Sequence, residues 1–144
     1  MRVSALLATK GATVATIPRD ATVASAVAEL RRLGIGALVV SPDGRRIDGI
    51  VSERDVVRAL ARLGGALLDE HVSSLMSTEV HTCRLDDEVT SLMPVMTDRR
   101  IRHVPVVDAA GALAGIVSIG DVVKHTIDAL QRDRDELVSY IQAR

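Results

Sequence analysis

The stretch Gly49-Ile50-Val51-Ser52 recurs as Gly115-Ile116-Val117-Ser118, and Asp55-Val56-Val57 recurs as Asp121-Val122-Val123. Both recurrences are 66 residues apart, and seven of the nine positions in the window are identical. Unrelated stretches of ordinary composition would share about one. A chain written twice folds as two copies of one supersecondary unit, because one small unit cannot cover its own apolar faces. The repeat extends upstream: Val23, Ser25 and Ile35 match Val89, Ser91 and Ile101 at the same spacing. Val39-Val40 matches Val106-Val107 one residue further on, which predicts an extra residue near Arg102 in the second copy. Val3-Ser4-Ala5-Leu6-Leu7 matches Val72-Ser73-Ser74-Leu75-Met76 at a spacing of 69, which predicts three extra residues around 9–12 in the first. The 144 residues therefore divide into copies at 1–69 and 70–144.

Each copy carries the same local code. Val14–Ile17 and Val80–Cys83 are short and β-branched, and read as strands. A helix over 22–33 puts Val23, Ala26, Val27, Leu30 and Leu33 on one face, and one over 88–99 does so with Val89, Leu92, Met93 and Met96. Pro94 inside the second pattern predicts a kink or an altered start. Ala37–Val40 and Val104–Val107 read as buried strands, each returning through a turn at 42–44 or 109–111 into strands at 47–51 and 113–117. Helices follow at 53–63 and 119–141. The expected fold class is α/β (α+β): two β-α-β-β-α repeats packed with pseudo-two-fold symmetry, each a small sheet with helices on one face. The last helix outruns its repeat with Val123, Ile127, Leu130, Leu137, Val138 and Ile141 in a stripe that Arg134 interrupts. It either lies across its own module or pairs with a second subunit.

Composition narrows the function. Lys plus Arg is 18 and Asp plus Glu is 19, without the basic excess that a nucleic acid or an acidic membrane surface demands. Tyr140 is the sole aromatic residue, so no base-stacking platform exists and the core is aliphatic. Cys83 is the single cysteine, which excludes an intramolecular disulfide and fits a reducing cytoplasm. The apolar run 5–8 is too short for a signal peptide, and nothing approaches a membrane span. His71, His81, His103, His125 and Cys83 offer one close pair, His81-x-Cys83, and no second pair at ligand spacing, so no metal site is expected. There is no nucleophile–base constellation, Walker loop or Gly-x-Gly-x-x-Gly, so no catalytic residues are expected.

Ser52-x-x-Asp55 and Ser118-x-x-Asp121 stand where a strand gives way to a helix. The pattern is that of a capping box, and the same helix start presents N–H groups to an anion. Arg102 and His103 are either an exposed loop pair or a phosphate contact: arginine is a permanent forked donor, and histidine changes charge near neutral pH. The first copy has Gly36-Ala37 there, so two clefts built from these residues cannot be equivalent. Arg54, opposite Gly120 in the repeat, reads as solvated.

Two copies of β-α-β-β-α ending Gly-Ile-Val-Ser-x-x-Asp-Val-Val resemble a tandem pair of CBS domains, the Bateman module. Arg100–Asp108 (RIRHVPVVD) and Ile35–Val40 (IGALVV) are typical of that family. The resemblance covers residues 3–128 and implies a regulatory module without catalysis. It implies an adenosine ligand in clefts between the repeats: AMP, ADP or ATP, sometimes NAD or S-adenosylmethionine. The aspartates become ribose ligands, helped by the serines before them. Contacts are implied from Thr16, Ile17, Ala37, Ser52 and Asp55 in one copy. In the other they come from Thr82, Arg102, His103, Val104, Pro105, Ser118 and Asp121. Without an aromatic side chain, the base lies between aliphatic ones such as Ile17, Val51, Val104 and Val117. The expected partners are a second copy, in a homodimer, and a regulated protein that reads a change of angle between the repeats. The alternative is a dimeric interaction scaffold with empty clefts.

Overall fold

The computed structural model describes residues 1–143; Arg144, the last residue of the second copy, lies outside the described residues. The chain runs α1 (Val3–Lys10), β1 (Thr16–Ile17), α2 (Val23–Leu33), β2 (Ala37–Val40), β3 (Gly49–Ser52) and α3 (Glu53–Leu63). After short 3-10 turns come β4 (Cys83–Arg84), α4 (Leu92–Arg99), β5 (His103–Val107), β6 (Leu113–Ser118) and α5 (Ile119–Gln142). Each copy contributes one three-stranded sheet, β1-β2-β3 and β4-β5-β6. In each, the first pair is parallel and the second is an antiparallel hairpin.

The two copies differ where proline differs. In the first, the Val39 N–H donates to Ala15 O and β1 pairs from Thr16 onward. The equivalent of Val39 is Pro105, which has no N–H, and β4 begins one residue later, at Cys83. Val80, His81 and Thr82, expected in that strand, lie outside it, as Val14 and Ala15 lie outside β1. Pro94 acts as an altered start: Val89–Ser91 form a 3-10 turn and the α-helix begins at Leu92. Pro94 then sits in the first turn, where a missing N–H costs nothing.

Strand pairing also corrects the expected insertion near Arg102. Ala37 faces Ser52 as His103 faces Ser118, and Val40 faces Gly49 as Val106 faces Gly115. The spacing therefore stays at 66 through the hairpin. Val106, not Val107, is the counterpart of Val40, and the irregularity is a shift between Val106 and Val107.

The cores are exchanged at their edges. Val3, Leu6 and Leu7 of α1 pack with Cys83, Val89, Leu92, Met96, Val104, Val106 and Val117 of the second copy. Val72, with Leu75 and Met76, packs with Ile17, Ala26, Leu30, Leu38, Val40 and Val51 of the first. Backbone bonds fasten both ends: Val3 N donates to Asp87 O and Val89 N to Met1 O, while Val72 N donates to Ala21 O and Val23 N to Glu70 O. Each copy thus completes the other's core. At the far end, α5 buries only Val122 and His125, and every residue from Leu130 through Ala143 is exposed. From Leu130 on, the helix does not lie across its own module.

Candidate functional site

Both Ser-x-x-Asp motifs are capping boxes. The Asp55 N–H donates to Ser52 Oγ at 3.3 Å, and Asp55 Oδ2 accepts from the Ser52 N–H at 2.9 Å and from its hydroxyl at 3.0 Å. The Asp121 N–H donates to Ser118 Oγ at 3.2 Å, and Asp121 Oδ2 accepts from the Ser118 N–H at 2.8 Å. Each aspartate is thereby fixed at the N-terminal end of a helix, its charge facing the positive end of the helix dipole. A carboxylate has several acceptor positions, so a cap does not exhaust it.

What surrounds the two aspartates differs. Asp55 opens into a cleft of about 400 Å3, within the ordinary range for small-molecule sites. Gly36, Ala37 and Ser52 line it from the first copy; Arg102 and His103 line it from the second. The expectation that Gly36-Ala37 and Arg102-His103 belong to separate clefts is thereby corrected. Gly36 permits the approach: a Cβ there would lie 2.7 Å from Glu53 Oε1 and 3.1 Å from His103 Cε1. Arg54, Arg58, Arg99 and Arg100 join Arg102 around the same space, against the carboxylates of Asp55 and Glu79. Five arginines and two acids give the lining of this cleft a net positive formal charge, on a chain whose net charge is −1. Arg54 is not simply solvated, since its Nη1 donates to Arg100 O at 2.7 Å. Arg54, Arg58 and Arg99 carry no local signal in the sequence. Only the meeting of the start of α3 with the end of α4 makes them a group.

Asp121 faces a different neighbour. Lys10 Nζ, at the end of α1, donates to Asp121 Oδ2 at 2.6 Å and to Ile116 O at 2.7 Å. Burial pushes the Asp121 carboxyl up, but hydrogen bonds from Lys10 and Ser118 outweigh it, and its pKa lies below the ordinary value. His103 is shifted downward, first by burial and then by the Arg102 charge, against the pull of Glu53 and Asp121. The imidazole is therefore neutral at pH 7 and readily charged by an arriving anion.

The other expected contacts are dispersed. Thr16 is half-buried beside the buried Ile17 in β1, and Thr82 is exposed just before β4. Val104 and Pro105 are buried in β5, and Val51 and Val117 are core residues. None of these lines the arginine-rich cleft, whose apolar walls are Ala37, Ile50, Val80 and Ile101. Cys83 is buried, and its thiol is pushed up to about 11 by burial and by Asp87. No group of three or more histidine, cysteine or acidic side chains among the described residues is placed to hold a metal ion. No helix among them is long and apolar enough to cross a membrane.

The family model for the CBS domain matches twice, at residues 7–62 and 72–128. A CBS-domain-containing protein from Agrobacterium tumefaciens superposes with a TM-score of 0.84 at 42% identity, over 88% of this chain and 99% of that one. A CBS-domain protein from Pyrobaculum aerophilum, solved in complex with AMP, does so with a TM-score of 0.74 at 32% identity, over 84% and 89%. A mitochondrial CBS-domain-containing protein of Arabidopsis thaliana is 36% identical over 127 residues. That match takes in 85% of this chain but only 61% of the relative. Two matched copies, folded as two three-stranded sheets that meet at a cleft, make this chain a member of the CBS-domain family, as a tandem CBS pair.

Proposed function

We propose that the chain is a regulatory sensor of an adenosine nucleotide (AMP, ADP or ATP, with NAD as a larger variant) and that the Asp55 cleft is where it binds. The observation that carries this is the juxtaposition of a helix-start carboxylate with five arginines in one cleft. A ribose offers two hydroxyl donors to Asp55, and a phosphate chain offers the arginines forked acceptors. Ala37, Ile50 and Val80 supply an apolar wall for the base. The AMP complex of the Pyrobaculum relative supports an adenosine ligand as the chemical class. The cleft is walled by both repeats, so a ligand that neutralises the arginines changes how the repeats sit together. A partner protein reads that change, on a homodimer of this chain.

Calorimetric titration of AMP and ATP into the wild type and Asp55→Asn tests the proposal. The variant keeps the shape of the cap but loses the charge. Charge-assisted bonds to ribose are worth roughly 1.5–3 kcal/mol each, so affinity should fall tenfold or more. The apo protein should lose only ~0.3–1 kcal/mol of stability. A wild type that binds neither nucleotide would leave the scaffold reading instead.

A further inference from the structure

The second helix-start carboxylate carries its own occupant. Lys10 and Asp121 form an ion pair at 2.6 Å whose side chains are only 29% and 22% exposed. The same ammonium donates to Ile116 O. Ile116 is the counterpart of Ile50, whose carbonyl in the first copy accepts from the Ser77 backbone N–H at 2.9 Å. Lys10 therefore satisfies a strand carbonyl and a helix-start carboxylate at once, from a position directly over both.

The repeat shows why the first cleft has no such occupant. Leu7 lies against Gly115 as Met76 lies against Gly49, so the 69-residue spacing holds in space at this point. Three residues further on, the first copy has Lys10, within its three-residue excess around 9–12, and the second has Glu79. Glu79 lines the Asp55 cleft. A glutamate cannot pair with Asp55. It leaves that carboxylate to other donors, and the arginines opposite keep the space positive. A lysine on the Asp121 carboxylate, against a glutamate beside the Asp55 one, distinguishes the two helix starts.

We propose that Lys10 is a specificity-determining residue that occupies the Asp121 carboxylate from within, so that the chain holds one nucleotide rather than two. This rests on the nucleotide-sensing reading above. A ribose seeking Asp121 must displace an ammonium that is largely withdrawn from water and covalently tethered, at high effective concentration. The Asp55 cleft sets no such competitor against its ligand.

Native mass spectrometry of the whole chain with ATP, and separately with AMP, counts the ligands. Lys10→Met keeps a flexible aliphatic side chain and removes the ammonium. The expected result is one more bound nucleotide per chain in Lys10→Met than in the wild type. The gain should vanish in the Lys10→Met, Asp121→Asn double variant. An unchanged count in Lys10→Met, or two nucleotides already on the wild-type chain, overturns the proposal, and Lys10 is then only a structural donor to Ile116 and Asp121. A wild type that binds nothing while Lys10→Met binds one nucleotide counts against the Asp55 reading and not against Lys10.

Discussion

Leu7 of α1 occupies the space a Cβ on Gly115 would need, with its Cδ1 2.6 Å from that position. On the other side of the pseudo-symmetry, a Cβ on Gly49 would lie 2.8 Å from the backbone oxygen of Ser77. The two glycines do the same job against different opponents. A leucine tip can rotate at modest cost, but the Ser77 carbonyl is held by the Ile50 N–H at 3.0 Å. Gly115→Ala should therefore cost ~1 kcal/mol and Gly49→Ala nearer ~3 kcal/mol, the two ends of the overpacking range. Urea unfolding checks this. Equal losses would mean that the backbone at Ser77 yields as easily as a side chain.

Leu7 also belongs to the core of the second copy, next to Cys83. Leu7→Ala should cost ~2–5 kcal/mol and loosen the second copy more than the first. Cys83 reports this directly. It is 3% exposed and its thiol is held near 11, so at pH 8 it is both inaccessible and protonated. Thiol labelling should be slow in the wild type and markedly faster in Leu7→Ala. Labelling of equal speed in both would show that α1 does not close the second core.

Much of this was legible beforehand, and the misses share a cause. The 66-residue spacing located five elements in each copy but not the helix α1, and Ser-x-x-Asp named two real capping boxes. The register error at Val106 arose because Pro105 interrupts the Val-Val pattern that aligns so well with Val39-Val40. The similarity of 3–7 to 72–76 revealed a repeated segment but not its address. A segment that packs on the neighbouring copy makes the same contacts as one that packs on its own. The cleft was half legible: Asp55, Ser52, Ala37, Arg102 and His103 do meet. Arg58 and Arg99 could not be found, because an arginine on a helix reads as a solvated face until another element approaches it.

His103 should make ligand binding respond to pH. Its folded pKa lies below the ordinary value near 6.5, with burial and Arg102 as the leading causes, and with Lys10 adding to them while Glu53 and Asp121 oppose. In the apo protein this stability is complete above pH 6.5. It is lost as pH falls through the interval down to the folded pKa, because only the unfolded chain takes up the proton. A phosphate in the cleft raises the folded pKa, and each unit of that rise is tenfold in affinity. ATP should therefore bind more tightly at pH 6 than at pH 7.5, and the gain should shrink in His103→Gln, titrated alongside to cancel the ionisation of the phosphate itself. Identical pH profiles would place His103 outside the ligand's reach.

The outer half of α5 calls for a partner surface. Ile127, Leu130, Arg134, Leu137 and Ile141 follow a 3-4 spacing, and Leu130, Leu137 and Ile141 are 63%, 60% and 62% exposed. Such a stripe is the seam of a helix pair, and closed two-fold pairing is the commonest way to bury it. Light scattering should give a dimer mass for the wild type and a monomer mass for the Leu137→Asp, Ile141→Asp variant. A wild-type monomer at micromolar concentration ends the homodimer.

Arg100 is the one described residue other than glycine with a positive φ: it closes α4 at φ 54° and ψ 41°. Its counterpart in the first copy is Gly34, at φ 64° and ψ 38°. Both copies end this helix in the left-handed region that glycine favours. A residue with a Cβ gives up ~1–2 kcal/mol there, and glycine would return some of the gain through its looser unfolded chain. Arg100→Gly should therefore stabilise the fold by about 0.5–1 kcal/mol. The side chain it removes lines the arginine-rich cleft, while the carbonyl that accepts from Arg54 remains. ATP affinity should fall while that of uncharged adenosine holds, because only a phosphate calls on the guanidinium. A higher denaturation midpoint joined to weaker ATP binding would mark Arg100 as a position where stability is surrendered for charge in the cleft. A variant that gains stability and binds ATP as before would leave the strain at Arg100 without a functional reason.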